Sequence, residues 1–544
     1  MTLTPTRRQL LTFAGLGAGV AALAACGDAG GDGGDTGSGA TPGGEATSGD
    51  GILRVATQTP TSLIPGNSRG FFALSLSETL FSGLLNYDPE TGEPTPLVAA
   101  SVETEDNIVW DITLHDGWTF HNGEPVDAAS FARGWNATAN PENAWVGSSQ
   151  LANIAGYDEL NPAEGEPTAD ELSGVEVIDD LHLRVTLQQA QNQFLYQIAQ
   201  PAFYPLPEAA LQDLDSYATA PIGNGPYQIV EPWTGGPEIL TERYGDYGGE
   251  PARNGGITFK IYNGYDVSFR DFQAGEVDIT GVLPADRPAA ETLLGDRLVE
   301  SGGTDFTYLT LPVWHETYGD ASIRQALSLA IDRQAIIDAL LDPSYTVLTD
   351  FGVPAQTGYR SDANAEFLTY DPDRARELWD EAGGIEGTLA LTVVTGTGRD
   401  AWSEAIINQW AEVFGVDVTL EFIPSENTHA ALFGHEVPNP ASLNIPVANP
   451  SPTALLSVAF ATGGGSNYGG YSNPEVDDLL VQAGAAATDE EAQALFDQVK
   501  DLLLVDIPLI PLWSPGSATA VAETVGGYIT DDYNRSPYWR FVVE

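Results

Sequence analysis

Apolar residues recur along this chain at two spacings, and the points where the spacing changes mark its elements. Ile52-Leu53-Arg54-Val55-Ala56 reads as a short opening strand, and Leu181 to Leu187 alternates like a half-buried strand. Ile257 to Tyr262 is a further strand, whereas Ser75 to Leu85 carries its apolar residues at helical spacing. Val109 to Leu114 and Trp118-Thr119-Phe120 flank His115-Asp116-Gly117, which predicts a hairpin. Residues 125–139 are expected to be helical, with Pro125 suited to the first turn. Beyond about residue 264 the pattern becomes α/β. A long amphipathic helix is predicted over 322–341 and another over 371–382, opening on Asp-Pro. Strand 389–394, helix 399–414 and strand 416–423 form a βαβ unit, which implies a parallel sheet. Helices over 474–487 and 489–505 precede the run Pro508 to Trp513 and a β-like tail.

The N-terminus does not follow either period. Thr6-Arg7-Arg8-Gln9-Leu10-Leu11 has the form of a twin-arginine export signal, although arginines also serve general secretion signals. Residues 10–25 are apolar and small, too short and too glycine-rich for a membrane span. Leu23-Ala24-Ala25-Cys26 resembles a bacterial lipobox, in which the Cys26 sulfur receives diacylglycerol; the alternative is an ordinary secretory signal with an incidental cysteine. Residues 27–50 are Gly, Asp, Thr, Ser, Pro, Ala and Glu, too polar to order themselves. As a flexible tether this segment spans roughly 25–30 Å. These features predict a chain anchored by lipid on the extracytoplasmic face of the cell membrane.

Composition narrows the function. At about 150 residues per domain, 544 residues imply three or four domains. Loss of the first 25 residues removes two arginines and no acid, leaving 19 basic against 77 acidic residues, a net charge of −58. Such a surface repels phosphate backbones, so nucleic acid is excluded as a partner. The acidity reads as a solvation adaptation, of the kind that suits a salty medium, rather than a docking device. Cys26 is the only cysteine, so no intrachain disulfide forms. Catalytic patterns are poor. Gly66-Asn67-Ser68-Arg69-Gly70 matches G-x-S-x-G, but Pro60 and Pro65 break the strand that a nucleophile elbow needs before its serine. A hydrolase using Ser68 is therefore the weaker alternative, beside an acidic adhesin or chaperone. No H-E-x-x-H or P-loop is present, and neither metal nor cofactor is expected.

Seven motifs in order carry a resemblance over most of 51–515. They are Phe81-Ser82-Gly83-Leu84-Leu85 with Asp88-Pro89; Leu114 to Pro125; Gly223-Asn224-Gly225-Pro226-Tyr227; Ala274-Gly275-Glu276-Val277-Asp278-Ile279; Ile323-Arg324-Gln325-Ala326-Leu327 with Ala330 to Arg333; Tyr370-Asp371-Pro372; and Asn467-Tyr468 with Tyr471 to Asp477. Together they resemble extracellular solute-binding protein family 5, the oligopeptide, dipeptide and nickel binding proteins of ABC importers. The resemblance implies an α/β, periplasmic-binding-protein-like fold (type II, cluster C), with two lobes joined by a hinge plus an extra small domain. It implies domain I over 51–88, 173–262 and 510–544, domain II over 89–172, and domain III over 263–509, with the hinge near Tyr262-Asn263-Gly264 and Leu509-Ile510-Pro511. It further implies a monomer that captures a small solute between its lobes, without chemistry, and delivers it to a membrane permease.

The chain departs from the peptide-binding pattern at more than one place. Where such proteins carry an acidic residue for the ligand's α-amino group, in a stretch like W-x-A-D-Y-x-D-P, this chain has Ile445 to Pro452, with Ala448 or Asn449 at the acidic position. Pro312 replaces the family's asparagine after the Tyr-Leu strand. For the cleft, the expected contacts are Arg69, Phe71, Trp314, Trp402, Asn449, Tyr468 and Trp513, since aromatic faces give large contact area at little entropic cost.

Overall fold

The computed structural model describes residues 49–361, 365–385 and 387–544. Cys26, the lipobox and most of the tether lie outside the described residues.

The first lobe is built on the opening strand. In Ile52–Thr57 the inward Leu53 and Val55 are buried while Ile52 faces solvent. The strand pairs in parallel with Gly256–Ile261 along its length and with Ile279 through Val55. It is the centre of a seven-stranded sheet in the order 298–301, 517–521, 279–281, 52–57, 256–261, 238–243, 227–229. Arg54 reaches across to Asp278, with its Nε 2.9 Å from Oδ2, and fixes the neighbouring strand. The boundary expected at 262 therefore falls inside this lobe. Residues 264–301 stay with it, because their strands Ile279–Gly281 and Leu298–Ser301 complete its sheet.

The middle domain centres on an antiparallel sheet in the order 99–104, 109–114, 182–186, 175–179. Its core runs from Leu84 to Phe203, well past the expected limit of 172. The hairpin expected between 109–114 and 118–120 does not form. Gly117 turns at φ +90°, Phe120 N–H donates to Glu124 O and Val126 N–H to Trp118 O, so 118–126 closes on itself. Val109–Leu114 takes the strands 99–104 and 182–186 as partners instead.

The second lobe holds a six-stranded sheet in the order 346–347, 509–514, 305–310, 441–446, 389–394, 418–423. The βαβ unit is present: Leu389–Val394 and Val418–Ile423 are parallel and joined by helix Asp400–Phe414. The helix expected over 322–341 is two, Ala321–Leu329 and Arg333–Leu340. Asp332 breaks it by accepting the Ala335 N–H as the cap of the second helix, while the apolar spacing runs on unbroken. The helix expected over 75–85 is Phe71–Leu80, and the chain leaves it where Ser82 N–H is held by the Asn224 side chain.

The chain passes between the two large sheets twice. Ser301 ends a first-lobe strand and Asp305 begins a second-lobe strand; Ser514 and Ser517 do the same in reverse. The crossovers are thus 302–304 and 515–516, rather than 262–264 and 509–511. They touch: a Cβ on Gly303 would lie 2.2 Å from Ser514 Oγ and 2.6 Å from Pro515 O. Only a glycine allows that approach.

Candidate functional site

Between the middle domain and the second lobe lies a cavity of about 1170 Å³. One wall is made by 149–153 and 189–200 of the middle domain, the other by 448–462 and 477–485 of the second lobe. The strand Ala441–Pro446 delivers Ala448 and Asn449 to the wall, and helices Thr453–Phe460 and Pro474–Gly484 follow it. The two bodies meet directly at one edge. Asn192 N–H donates to Gly484 O at 2.7 Å, Asn107 Nδ2 to Ala486 O at 2.7 Å, and Asn192 Nδ2 to the same carbonyl at 3.1 Å. A backbone N–H and two side-chain amides of one domain thereby satisfy carbonyls at and just beyond the end of a helix of the other. A Cβ on Gly484 would stand 2.4 Å from Ala190 O, so that residue sets how close the bodies come.

A second group of residues brings the two lobes near each other at Arg69 and Tyr468. Gly70, at φ +81°, starts helix Phe71–Leu80 and leaves Phe71 exposed beside Arg69. In the second lobe Tyr468 packs on Phe433 with centroids 4.9 Å apart, and its hydroxyl is 3.2 Å from His429 Nδ1. Burial pushes the Tyr468 hydroxyl up, and the Arg69 guanidinium lies close enough to oppose that rise. Trp314 stacks on His435 at 4.6 Å.

A family model described as bacterial extracellular solute-binding proteins, family 5 Middle, matches residues 93–466. The chain belongs to this family. Its role is that of the solute-binding protein of an ABC importer. It is 24% identical over 526 residues to the periplasmic murein peptide-binding protein MppA of Escherichia coli, covering 90% of this chain and 93% of that protein. It is likewise 24% identical over 510 residues to the dipeptide-binding protein DppE of Bacillus subtilis, covering 89% of this chain and 90% of the relative. Among solved structures, HbpA2 from Haemophilus parasuis superposes with a TM-score of 0.79 at 18% identity, over 91% of this chain and 99% of that one. The unliganded open form of MppA gives 0.77 at 21% identity, over 91% and 98%. The fold is accordingly the expected pair of lobes with an extra domain.

The structure separates the expected contacts of this solute-binding protein. Asn449 lines the cavity, Arg69 and Tyr468 lie within reach of each other across the two lobes, and Phe71 is exposed at the start of its helix. Trp314 is partly exposed in its stack. Trp402 and Trp513 pack edge to face at 5.1 Å inside the second-lobe core, 5% and 1% exposed, and offer no face to a solute. Their expectation fails because an aromatic on a central strand or an inward helix face is core material. Ser68 is also inside: its hydroxyl donates to Ile64 O at 2.9 Å and lies 2.9 Å from Ser77 Oγ. It follows a short 3₁₀ turn, Pro65–Asn67, and not a strand. Sequence reasoning misses the middle-domain wall. Its signal is the amide-rich run Gln188-Gln189-Ala190-Gln191-Asn192-Gln193, which reads as loop polarity until the second lobe is placed against it.

Proposed function

We propose that the chain is a monomeric, lipid-anchored receptor that closes its lobes on an organic solute without a recognised free amino terminus and hands it, chemically unchanged, to a membrane permease. The observation that carries the reading is the cavity wall at Ala448 and Asn449. Ala448 has no charge to offer. The Asn449 Oδ1 accepts its own Ser451 N–H at 3.0 Å, so this oxygen is already engaged. An ammonium placed there meets no carboxylate from either residue, and so no charge-assisted partner. A hydrogen bond to a charged group contributes about 1.5–3 kcal/mol, so unmodified peptides lose roughly tenfold or more in affinity.

Calorimetry with a pool of di- to pentapeptides tests this. Weak or absent binding is expected, and micromolar binding that weakens on N-acetylation would refute it. Lipid anchoring rests on Cys26 and the small residues before it. The Cys26→Ala protein is expected in the medium, and its retention on membranes would count against the anchor. The buried Ser68 supports a receptor over a hydrolase. Recovery of an added solute unchanged after incubation is expected, and conversion abolished by Ser68→Ala would reverse that choice.

A further inference from the structure

The cavity is almost without charge, although 18% of the chain's residues are charged. Its lining holds one carboxylate, Asp477, and no lysine, arginine or histidine. Asp477 is already engaged. It accepts Thr462 N–H at 2.8 Å and the Thr462 hydroxyl at 2.6 Å, from the first turn of helix Pro474–Gly484, where the helix dipole favours its charge. It is a structural fastening rather than a partner held open for a cation.

The opposite wall is a relay of amides. Asn153 Nδ2 donates to Gln191 Oε1 at 2.9 Å, Gln191 Nε2 donates to Gln197 Oε1 at 2.6 Å, and Gln197 Nε2 donates to the Gln150 carbonyl. Asn153 Oδ1 accepts Gln189 N–H at 3.0 Å and fixes the end of the relay. Each member orients the next, so the wall is organised before any solute arrives. Preorganised donors and acceptors bind at less entropic cost than free side chains. No lining side chain offers a free counterion, so a charged group placed there gives up water without gaining an ion pair, which disfavours charged solutes.

We infer that this cavity selects an uncharged solute dense in hydroxyl or amide groups, either a carbohydrate or a peptide with both termini blocked. The inference rests on the proposed role in solute capture and specifies its ligand. At about 1170 Å³ the cavity exceeds the usual range of roughly 300–1,000 Å³ for small-molecule sites, which suits an oligomer of several units.

Titration calorimetry of the full-length protein with two panels tests it. The uncharged panel is maltotetraose and N-acetyl-tetraalanine amide; the charged panel is tetraalanine with free termini, arginine and glutamate. At least one uncharged probe is expected to bind tenfold or more tightly than every charged one, and which of the two binds identifies the source. Ser457→Trp, which places a large ring on the cavity wall, is expected to abolish that binding. Ala448→Asp supplies a second check, raising the affinity of free tetraalanine at least tenfold. Tighter binding of any charged probe overturns the inference while leaving solute capture intact. Silence from both panels, in heat and in thermal shift, overturns the inference and counts against solute capture too. Unchanged binding in a folded Ser457→Trp protein overturns the assignment to this cavity.

Discussion

His121 and Glu78 show how single side chains set the response of this protein to acid. The His121 ring is engaged on both sides in its neutral form: Gly223 N–H donates to Nδ1 at 3.2 Å, and Nε2 donates to Gly225 O at 3.1 Å. Burial lowers its pKa to about 4. The unfolded chain, with an imidazole near 6.5, binds a proton that the folded one refuses, so His121 withdraws stability as pH falls from about 6.5 to 4. Glu78 works the other way. Burial raises its pKa to about 7, with Arg535 opposing the rise and Asp531 adding to it. Its contribution is complete below its ordinary range near 4.5 and is lost as pH climbs to 7. The two nearly cancel between about pH 4.5 and 6.5. In Glu78→Gln the melting temperature is expected to fall as pH drops through that window, and in His121→Gln to rise. At about 1.4 kcal/mol per pH unit the slopes are measurable by calorimetry. Matching profiles in the two variants would contradict these opposed roles.

The elements were largely legible as pattern, while their buried cations were not. Strands 52–57 and 389–394 and the paired helices near the end follow from period alone. The break at Asp332 does not, because the cause is a side-chain cap within an unbroken apolar stripe. Nor does spacing say what Arg333 does. It is 3% exposed, and its hydrogen bonds go to the carbonyls of Pro511, Ser328, Ile331 and Leu368 and to Ser328 Oγ. One guanidinium ties two helices, a strand and a loop together. Arg333→Lys cannot reproduce a planar fork and is expected to cost roughly 2–4 kcal/mol in urea unfolding. A loss below about 1 kcal/mol would show that the fork is dispensable. A second knot joins helix Asp489–Asp506 to the loop at 350–360: buried Asp350 meets Lys500 Nζ at 3.1 Å and Arg360 Nη2 at 2.9 Å. Asp350→Ala leaves the Lys500 ammonium inside without its counterion and is expected to cost about 3–5 kcal/mol. Lys500→Met with Asp350→Asn should recover some of that loss, and no recovery would argue against charge as the cause.

At the scale of the whole molecule, the plan of two lobes and an extra domain was readable from motif order, and the division of residues among them was not. The segment 264–301 follows strand Gly256–Ile261, and the change to an α/β pattern near 264 does not mark a lobe boundary, because the segment turns back into the same sheet. The crossovers likewise depend on a contact across sequence, Gly303 against Ser514 and Pro515. A methyl on Gly303 must push the two crossovers apart, whereas one on Gly302 has no atom nearer than 3.5 Å. Gly303→Ala is therefore expected to alter the change in radius of gyration on solute addition, measured by X-ray scattering, and Gly302→Ala to leave it as it was. Equal behaviour of the two would remove the crossovers as the hinge.

The amide contacts at Gly484 and Ala486 have a consequence for the medium in which this protein can work. Two bodies of a strongly acidic chain repel each other, and dissolved ions weaken that repulsion. The groups at Gly484 and Ala486 are neutral, and the nearby Asp489 meets the Gln193 amide rather than a cation, so the same ions have no pair of opposite charges to weaken. Brine, which loosens a clasp made of opposite charges, leaves this one fastened and eases its shutting.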